Sequence, residues 1–185
     1  MLGCRLHMIF TASTVWDMDG ERLSDLYAIH QLKSRYFRYL DTKEWDRWRP
    51  LFADDLLFYA EESVLPKAMT PSQTGGDNFV AYVSSLLETA VSVHHGHMPD
   101  IEFQSDSDAT GVWAMYDWVD DPDKGFAIQG FGHYHEKYRK NGDGQWQIAE
   151  MRLTRLRTTF IEPTRPGGDR PWPPAWTAPH SGGTA

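Results

Sequence analysis

The sequence is poor in cysteine, in basic residues and in long apolar runs, and each shortage excludes a class of protein. Its single cysteine, Cys4, excludes a disulfide framework and a cysteine-rich zinc site, and it suits a reducing cytoplasm. The 18 basic residues are outnumbered by 26 acidic ones, and the net charge of -8 argues against nucleic acids and anionic membranes as partners. No apolar run approaches the roughly 18 residues that span a bilayer. We therefore predict a cytoplasmic protein without a nucleic-acid or membrane partner.

Signals for export and for nucleotide or serine chemistry are also missing. The opening segment is a poor secretion signal, because its short apolar patch is broken by His7. Met8 or Met18 is an alternative start of the chain, since the patterned sequence begins only near Asp19. The sequence contains no Gly-rich phosphate loop and no nucleophilic serine motif. These observations leave a small-molecule protein as the main candidate class.

Apolar and aromatic residues are abundant, at 41% hydrophobic and 14% aromatic with eight tryptophans. A chain of 185 residues is long enough for one domain with a sizeable core. The patterning divides it into a ragged N-terminal extension over 1–18, a domain over 19–162 and a Pro/Gly/Trp-rich tail over 163–185. We expect Trp172 and Trp176 in the tail to pack against the domain or against a neighbouring subunit.

Three helices are predicted in the first half of the domain. Apolar residues recur at intervals of three and four from Glu21 to Leu40, which predicts an amphipathic helix that ends at Asp41. A second, short helix runs from Trp45 to Phe52. A third is predicted over 79–90, with Asp77 or Asn78 as its N-terminal cap.

Strands dominate the second half. A turn at 53–55 precedes a first strand at 56–60, and the Pro- and Gly-containing segment 61–76 is predicted to be a loop at a pocket rim. Alternating patterns and turn signals predict four further strands: 93–103, 109–119, 126–139 and 146–160. Helices first and strands later indicate an α+β fold in which a curved antiparallel sheet is covered by the three helices.

The segment from Val93 to Phe103 carries three of the eight histidines, His94, His95 and His97. Histidine is the side chain most readily tuned to move protons near neutral pH. We therefore hypothesise that His94 is a general base and that the helix around Tyr36 and Asp41 supplies its partners. The alternative is a packed or solvated histidine on a strand.

A metal site is the competing interpretation of the histidines. His133 and His135 share one face of a predicted strand, and together with His94 they form a possible ligand set. The glutamate that cupins add about four residues later is replaced by Arg139, and Glu136 faces the other way. We therefore predict no metal and no cofactor.

Five segments in order resemble the SnoaL-like branch of the NTF2-like superfamily over roughly 21–160. The matching segments are YFRYLD, DRWRPLFADD, VHHGHMPDIEF, DATGVWAMYD and the hairpin from GHYHEKY to GQWQIAE. The resemblance implies a cone, in which a bent sheet wraps around a hydrophobic pocket and helices close its wide end. Enzymes of this superfamily include scytalone dehydratase, bile-acid 7α-dehydratase and hexachlorocyclohexane dehydrochlorinase.

The resemblance also implies site residues. It places Asp41 and His94 on the family's aspartate–histidine pair and Tyr36 on the position five residues before the aspartate, where a tyrosine suits a carbonyl or a leaving hydroxyl. Met98 stands where the family pattern has an asparagine, so one polar group is lost. Asp117 falls where the bile-acid enzyme also places an aspartate, and Arg155 lies on the strand where the family often has a basic residue. We expect substrate contacts at the following positions: Asp117, His97, Trp113, Tyr134 and Arg155.

The resulting expectation is a dehydratase or isomerase that needs no cofactor and acts on a hydrophobic cyclic molecule. His94 would remove a proton, Asp41 would orient His94, and Tyr36 would bind the carbonyl or protonate the departing hydroxyl. The alternative is a non-catalytic member of the family, either a ligand-binding protein or the small subunit of a ring-hydroxylating oxygenase. The family resemblance further implies a homotrimer or homodimer.

Overall fold

The structure, a computed structural model, describes residues 19–60 and 72–163. Its helices and strands, in chain order, are α1 Gly20–Asp41, α2 Trp45–Trp48, a 3-10 turn Arg49–Leu51, β1 Phe52–Ala60, β2 Ser72–Thr74, α3 Gly76–Leu86, β3 Val91–Phe103, β4 Asp108–Asp121, β5 Phe126–Lys140 and β6 Trp146–Ile161. The expectations for the N-terminal extension, for residues 61–71 of the loop predicted over 61–76 and for the tail with Trp172 and Trp176 lie outside the described residues. The end of that predicted loop was wrong, since 72–74 form β2 and Gly76 begins α3. Within these two ranges, no helix has the length and apolar character needed to cross a membrane.

Helix α1 lies against the inner face of the sheet and confirms the predicted helix to within one residue at each end. The Asp19 side chain caps it by accepting a hydrogen bond of 2.8 Å from the Arg22 backbone N–H. Its apolar period buries one face, and the buried apolar residues are Ile29, Leu32, Tyr36, Tyr39 and Leu40. The helix therefore delivers Tyr36 and Asp41 to the concave side of the sheet.

The six strands form one curved, unclosed sheet in the order β2-β1-β6-β5-β4-β3. Strands β3 to β6 pair antiparallel, as expected, but β1 pairs in parallel with β6, so the sheet is mixed. Register shifts interrupt the β3–β4 and β5–β6 ladders, and such bulges bend a sheet. The α+β class and the conical shape are thus confirmed, with the parallel pair as the correction.

Strand β1 begins earlier than the sequence indicated. The segment 53–55 was expected to be a turn, yet it lies inside β1. Ala53 is buried, and the next two carboxylates point outward to bind arginines: Asp54 pairs with Arg49 at 2.6 Å, and Asp55 pairs with Arg139. The two acidic residues are therefore salt-bridged strand residues.

Helix α3 starts three residues before its predicted start and ends four residues before its predicted end. Gly75 is its N-cap, with φ 92, and neither Asp77 nor Asn78 caps it. The Asp77 carboxylate instead accepts a hydrogen bond of 2.5 Å from Arg49 Nε, and the Asn78 amide donates to the Thr74 carbonyl. Phe79 is its buried anchor in the core.

Strand β4 extends two residues into the acidic turn that was predicted after it. Asp120 and Asp121 are both buried at the strand's end. The Thr89 hydroxyl lies 2.9 Å from each Asp121 carboxylate oxygen, and Lys124 Nζ lies 3.2 Å from Oδ2. These partners compensate the buried charge of Asp121.

Aromatic rings fill the core between α1, α2, α3 and the sheet. Trp48 is fully buried, and its ring centroid lies 4.8 Å from that of Phe52, 5.3 Å from that of Phe79 and 5.4 Å from that of Tyr36. Edge and tilted contacts of this kind are favourable for aromatic pairs. The aromatic-rich composition is therefore used largely for packing.

A charged pair lies inside the cone. The Lys33 ammonium is fully buried and binds Glu136, whose other oxygen accepts a hydrogen bond from the Tyr138 hydroxyl. Lys33 Nζ also lies 4.0 Å from the Tyr36 ring centroid and 3.8 Å from that of Tyr134. Burial lowers the pKa of Lys33, an effect that the nearby Glu136 carboxylate opposes.

We predict that Lys33→Met strongly destabilises the fold, because it leaves the Glu136 carboxylate buried without its cation. Removing one partner of a buried pair costs about 3–5 kcal/mol, and urea unfolding measures that loss directly. The matched control is Lys137→Met, which removes a cation from the exposed Lys137–Glu150 pair on the outer face. The control should cost at most about 1 kcal/mol. Equal losses for the two variants would contradict the account of the interior.

Candidate active site

The carboxylate that ends α1 meets the histidine of β3. His94 Nδ1 lies 2.7 Å from Asp41 Oδ1, and the His94 backbone N–H donates to Asp41 Oδ2 at 2.8 Å. The His94 residue is 9% exposed, so its ring is almost enclosed. Because a carboxylate only accepts hydrogen bonds, Nδ1 carries a proton, and in the neutral form of the ring Nε2 keeps its lone pair. This arrangement can hold a base in one orientation.

Two residues that sequence reasoning missed extend this pair. The Ser92 hydroxyl donates to Asp41 Oδ1 at 3.0 Å, and Lys43 Nζ donates to Ser92 Oγ at 3.3 Å. Burial lowers the pKa of Lys43, while the carboxylates of Asp41 and Asp121 oppose that shift. The strand period of two places Ser92 on the same face as His94, so alternation could have identified it.

Asp117 lies directly opposite His94 on the neighbouring strand and binds Arg155. The two side chains form a bidentate ion pair with both N–O distances at 2.6 Å, and they are only 4% and 7% exposed. Arg155 was expected to bind an anionic group of the substrate. Its guanidinium instead neutralises the Asp117 carboxylate. Asp117 and Arg155 were expected to contact a substrate separately, and the structure joins them in one ion pair that forms a wall of the candidate site.

A bulge and a glycine allow Arg155 to reach Asp117. Phe131 pairs with Arg157 and Gly132 with Arg155, so Leu156 is the extra residue and Arg155 turns inward while Arg157 faces outward. Arg155 then crosses over Gly130, where a Cβ atom would stand 1.7 Å from Arg155 Nη1 and 2.2 Å from Asp117 Oδ1. Only glycine at position 130 leaves space for the ion pair.

Tyr36 and Tyr134 lie together inside the cone. Their ring centroids are 6.0 Å apart, and the Tyr36 hydroxyl lies 3.7 Å from Met151 Sδ. Burial, as the largest cause, raises the pKa of both phenols well above the usual value, so both remain protonated donors. The structure thus brings Tyr36 to Tyr134 and Met151, on the same side of the sheet as His94.

Trp113 is buried on the concave side, but its polar atom is already engaged. The indole N–H donates to the Tyr138 hydroxyl at 2.6 Å, and its ring meets the edge of His30 with centroids 5.4 Å apart. Tyr138 in turn binds Glu136, so Trp113 belongs to the buried network of Lys33. Any contact of Trp113 with a ligand would use its ring rather than its N–H.

The other two histidines of the segment from Val93 to Phe103 lie on the outer face of the sheet. His95 and His97 are exposed and contact each other with ring centroids 5.7 Å apart, while His94 faces inward. This corrects the expected place of His97 in the site, since strand alternation turns it away. Met98 is 91% exposed at a bulge with φ 40, so the family's asparagine position lies at the surface here.

His133 and His135 do not join His94. The strand register pairs His133 with Ala114 and His135 with Val112, on the outer face that also carries His97. The metal set of His94, His133 and His135 is therefore divided between two faces of the sheet. Across residues 19–60 and 72–163, no three potential His, Cys, Asp or Glu ligands converge on one point.

Comparison with known proteins connects this geometry to a family. The sequence model of the SnoaL-like domain family matches residues 21–152. Among curated proteins, the probable cyclase FGR4 of Gibberella zeae is 25% identical over 134 residues, which cover 69% of this chain and 89% of that protein. The match of the family model spans the elements that carry Asp41, His94 and Asp117.

Solved structures share the same fold. A hexachlorocyclohexane dehydrochlorinase (LinA) of type 2 aligns with a TM-score of 0.68 and 18% identity, over 80% of this chain and 98% of that chain. A scytalone dehydratase-like protein from Novosphingobium aromaticivorans aligns with a TM-score of 0.66 and 21% identity, over 82% of this chain and 99% of that chain. At these identities the likeness shows the fold alone, and it confirms the expected NTF2-like cone.

We predict that Gly130→Ala breaks the Asp117–Arg155 pair, because the added methyl group occupies the space that the guanidinium needs. Separating a buried ion pair should cost about 3–5 kcal/mol of unfolding free energy, which chemical denaturation measures. Gly142→Ala is the matched control, since a Cβ atom there meets nothing within 4 Å. A Gly130→Ala protein as stable as Gly142→Ala would contradict the role given to Gly130.

Proposed function

The chain belongs to the SnoaL-like family, and on that premise we propose that it is a dehydratase or isomerase for a hydrophobic cyclic small molecule. The observation that carries the proposal is the 2.7 Å contact between His94 Nδ1 and Asp41 Oδ1 in a nearly enclosed position. A base held by a carboxylate and shielded from water is the arrangement that proton abstraction from carbon requires. The protein's own side chains supply the acid and base groups of this reaction.

His94 is the proposed base. Asp41 fixes the ring through Nδ1, so that Nε2 is available to the substrate, and the carboxylate stabilises the imidazolium that forms after proton transfer. The second bond from Asp41, to the His94 backbone N–H at 2.8 Å, holds the strand itself in place. Asp41 therefore acts as an orienting group with two points of attachment.

Tyr36 and Tyr134 are the proposed donors. Their raised pKa values keep them protonated near neutral pH, so each can donate a hydrogen bond or a proton. The Tyr36 hydroxyl lies 3.7 Å from a thioether sulfur, which is a weak acceptor, and a hydrogen bond with Tyr134 contributes to its raised pKa. A substrate carbonyl or hydroxyl oxygen would be a better acceptor than Met151, so Tyr36 gains a stronger hydrogen bond when the substrate binds.

The proposed reaction begins with transfer of a proton from the carbon next to a carbonyl to His94 Nε2. The electron pair of the broken C–H bond moves toward the carbonyl oxygen, which accepts a hydrogen bond from the phenol. If a hydroxyl group stands on the next carbon, the His94 imidazolium returns its proton to that hydroxyl, the C–O bond breaks, water leaves, and a carbon–carbon double bond forms as the carbonyl is restored. If it does not, return of the proton to another carbon completes an isomerisation.

The apolar surroundings favour a hydrophobic ring as substrate. Phe37 and Tyr134 have centroids 5.9 Å apart, and Met115 and Trp113 are buried on the same side of the sheet. Such walls exclude water and restrict the substrate to one pose, which contributes to rate by proximity and orientation. The paired charges of Asp117 and Arg155 add a rigid polar wall without a net charge.

A non-catalytic partner subunit is the second candidate, and the outer face favours it. Phe131 and Leu156 are 41% and 76% exposed on β5 and β6. Exposed apolar residues of this kind indicate a contact surface. We propose that another subunit covers this surface: a different protein in the partner-subunit role, or a second copy of the chain in a homodimer or homotrimer if the chain is the enzyme.

We predict that His94→Asn abolishes base catalysis. Deuterium incorporation next to the carbonyl of cyclic ketones in D₂O, followed by mass spectrometry, detects proton abstraction whether the reaction ends in dehydration or isomerisation. The rate should fall by roughly 10²- to 10⁴-fold, the usual contribution of a general base.

The matched control is His95→Asn, which changes the adjacent histidine on the outer face of the same strand. Its rate of exchange should equal that of the wild-type protein. Undiminished exchange in His94→Asn, with an unchanged far-UV spectrum, would refute the mechanism and favour the partner-subunit role.

A further inference from the structure

We propose that Lys43 is a positioning residue of the active site, which acts on His94 through Ser92 and Asp41. The proposal rests on the function proposed above, and it gives a role to a residue that takes no part in the reaction described there. Three observations carry it: the direction of the hydrogen bonds, the backbone conformation of Lys43 and the pairing of the other cations nearby.

The hydrogen bonds run in one direction from Lys43 to Asp41. An ammonium group only donates, so the Ser92 hydroxyl must accept from Lys43 Nζ at 3.3 Å and turn its own proton to Asp41 Oδ1 at 3.0 Å. Asp41 then receives three hydrogen bonds, from the Ser92 hydroxyl, the His94 ring and the His94 backbone N–H. Lys43, by donating to Ser92 Oγ, reinforces the orientation in which the serine hydroxyl donates to Asp41.

The backbone of Lys43 is in a costly conformation. Its φ is 60, which lies in the left-handed region that residues other than glycine seldom adopt. The turn that follows α1 would accommodate glycine without this cost. A lysine kept in such a conformation beside a candidate active site points to a use for its side chain.

Three other cations among the described residues are held by carboxylates. Arg155 binds Asp117, Lys33 binds Glu136 and Lys124 binds Asp121. For Lys43, the hydrogen bond recorded among the described residues is to the neutral Ser92 hydroxyl. The positive charge of Lys43 therefore acts on Asp41 through the Ser92 hydroxyl.

Lys43 also stands where the site meets the surface. It lines a groove of about 350 Å³ together with Trp45, Ser84, Ser85 and Glu88. The carboxylates of Asp41 from α1 and Asp121 from β4 raise its pKa against the effect of burial, and Glu88 is the other charged residue that lines the groove. Its ammonium group is therefore half-buried, and the turn that follows α1 limits the positions that it can reach.

The test combines stability with kinetics in Lys43→Gly. Glycine relieves the backbone, so Tm should be no lower than in the wild-type protein, while kcat for deuterium exchange should fall about tenfold, the equivalent of one hydrogen bond. KM should stay the same, because Lys43 does not touch the substrate in this account. Lys43→Arg should restore kcat, and Lys137→Gln, which removes a lysine charge from the outer face, should change nothing.

Three results would overturn the proposal: an unchanged kcat in Lys43→Gly, a rise in KM alone, or a fall in Tm that accounts for the lost activity. A rise in KM alone would show that Lys43 binds the substrate directly. A fall in Tm would show a merely structural role in the turn.

A second measurement needs no substrate. NMR titration of the Lys43 ammonium should give a lower pKa in Asp41→Asn than in the wild-type protein, because the attraction of the Asp41 carboxylate is then removed. An unchanged pKa would overturn the coupling between Lys43 and Asp41. If His94→Asn keeps full exchange activity, the proposed function fails, and this titration still decides whether Lys43 and Asp41 are coupled.

Discussion

The double attachment of Asp41 to His94 is the interaction on which the site depends. Asp41 is the last residue of α1, and its two carboxylate oxygens bind the ring and the backbone N–H of one residue of β3. The position of the helix on the sheet therefore also sets the orientation of the candidate base. Any movement of α1 along the sheet would change both hydrogen bonds at once, which explains why the helix is anchored by a packed aromatic face.

The buried charges inside the aromatic-lined cone are paired with one another. Asp117 is neutralised by Arg155, and Glu136 by Lys33, because unpaired charges in such a position would be too costly. In the proposed function, the groups left for a substrate are His94 Nε2 and the phenols of Tyr36 and Tyr134. This division between paired charges and available neutral groups is consistent with proton transfer to and from an uncharged ring. The outer face of the sheet carries a separate set of histidines and exposed apolar residues.

Periodicity in the sequence was sufficient to predict the helices and strands, but it could not predict contacts between residues that are distant in sequence. The apolar repeat of α1 predicted its ends to within one residue, because one face of that helix is buried along its length. The contact between Asp41 and His94 joins residues 53 apart in sequence, so periodicity could not indicate it, and the hypothesis of this pair drew its support from the family resemblance. Strict alternation along β3 does assign His97 to the outer face and Ser92 to the inner face. Arg155 could not be placed in this way, since the bulge at Leu156 changes which residues of β6 face inward. The cap of α3 was missed because Gly75 acts through its backbone conformation and leaves no side-chain signal.

A crystal structure with a bound cyclic ketone that lacks a leaving hydroxyl tests the central claim most directly. The account predicts that His94 Nε2 lies about 3–3.5 Å from the carbon next to the carbonyl, the separation of groups poised to react. It also predicts that a phenol from Tyr36 or Tyr134 lies within hydrogen-bond distance of the carbonyl oxygen. A ketone bound elsewhere, or a His94 ring that keeps its contact with Asp41 while Nε2 faces away from the ligand, would contradict the claim that this pair is the catalytic base.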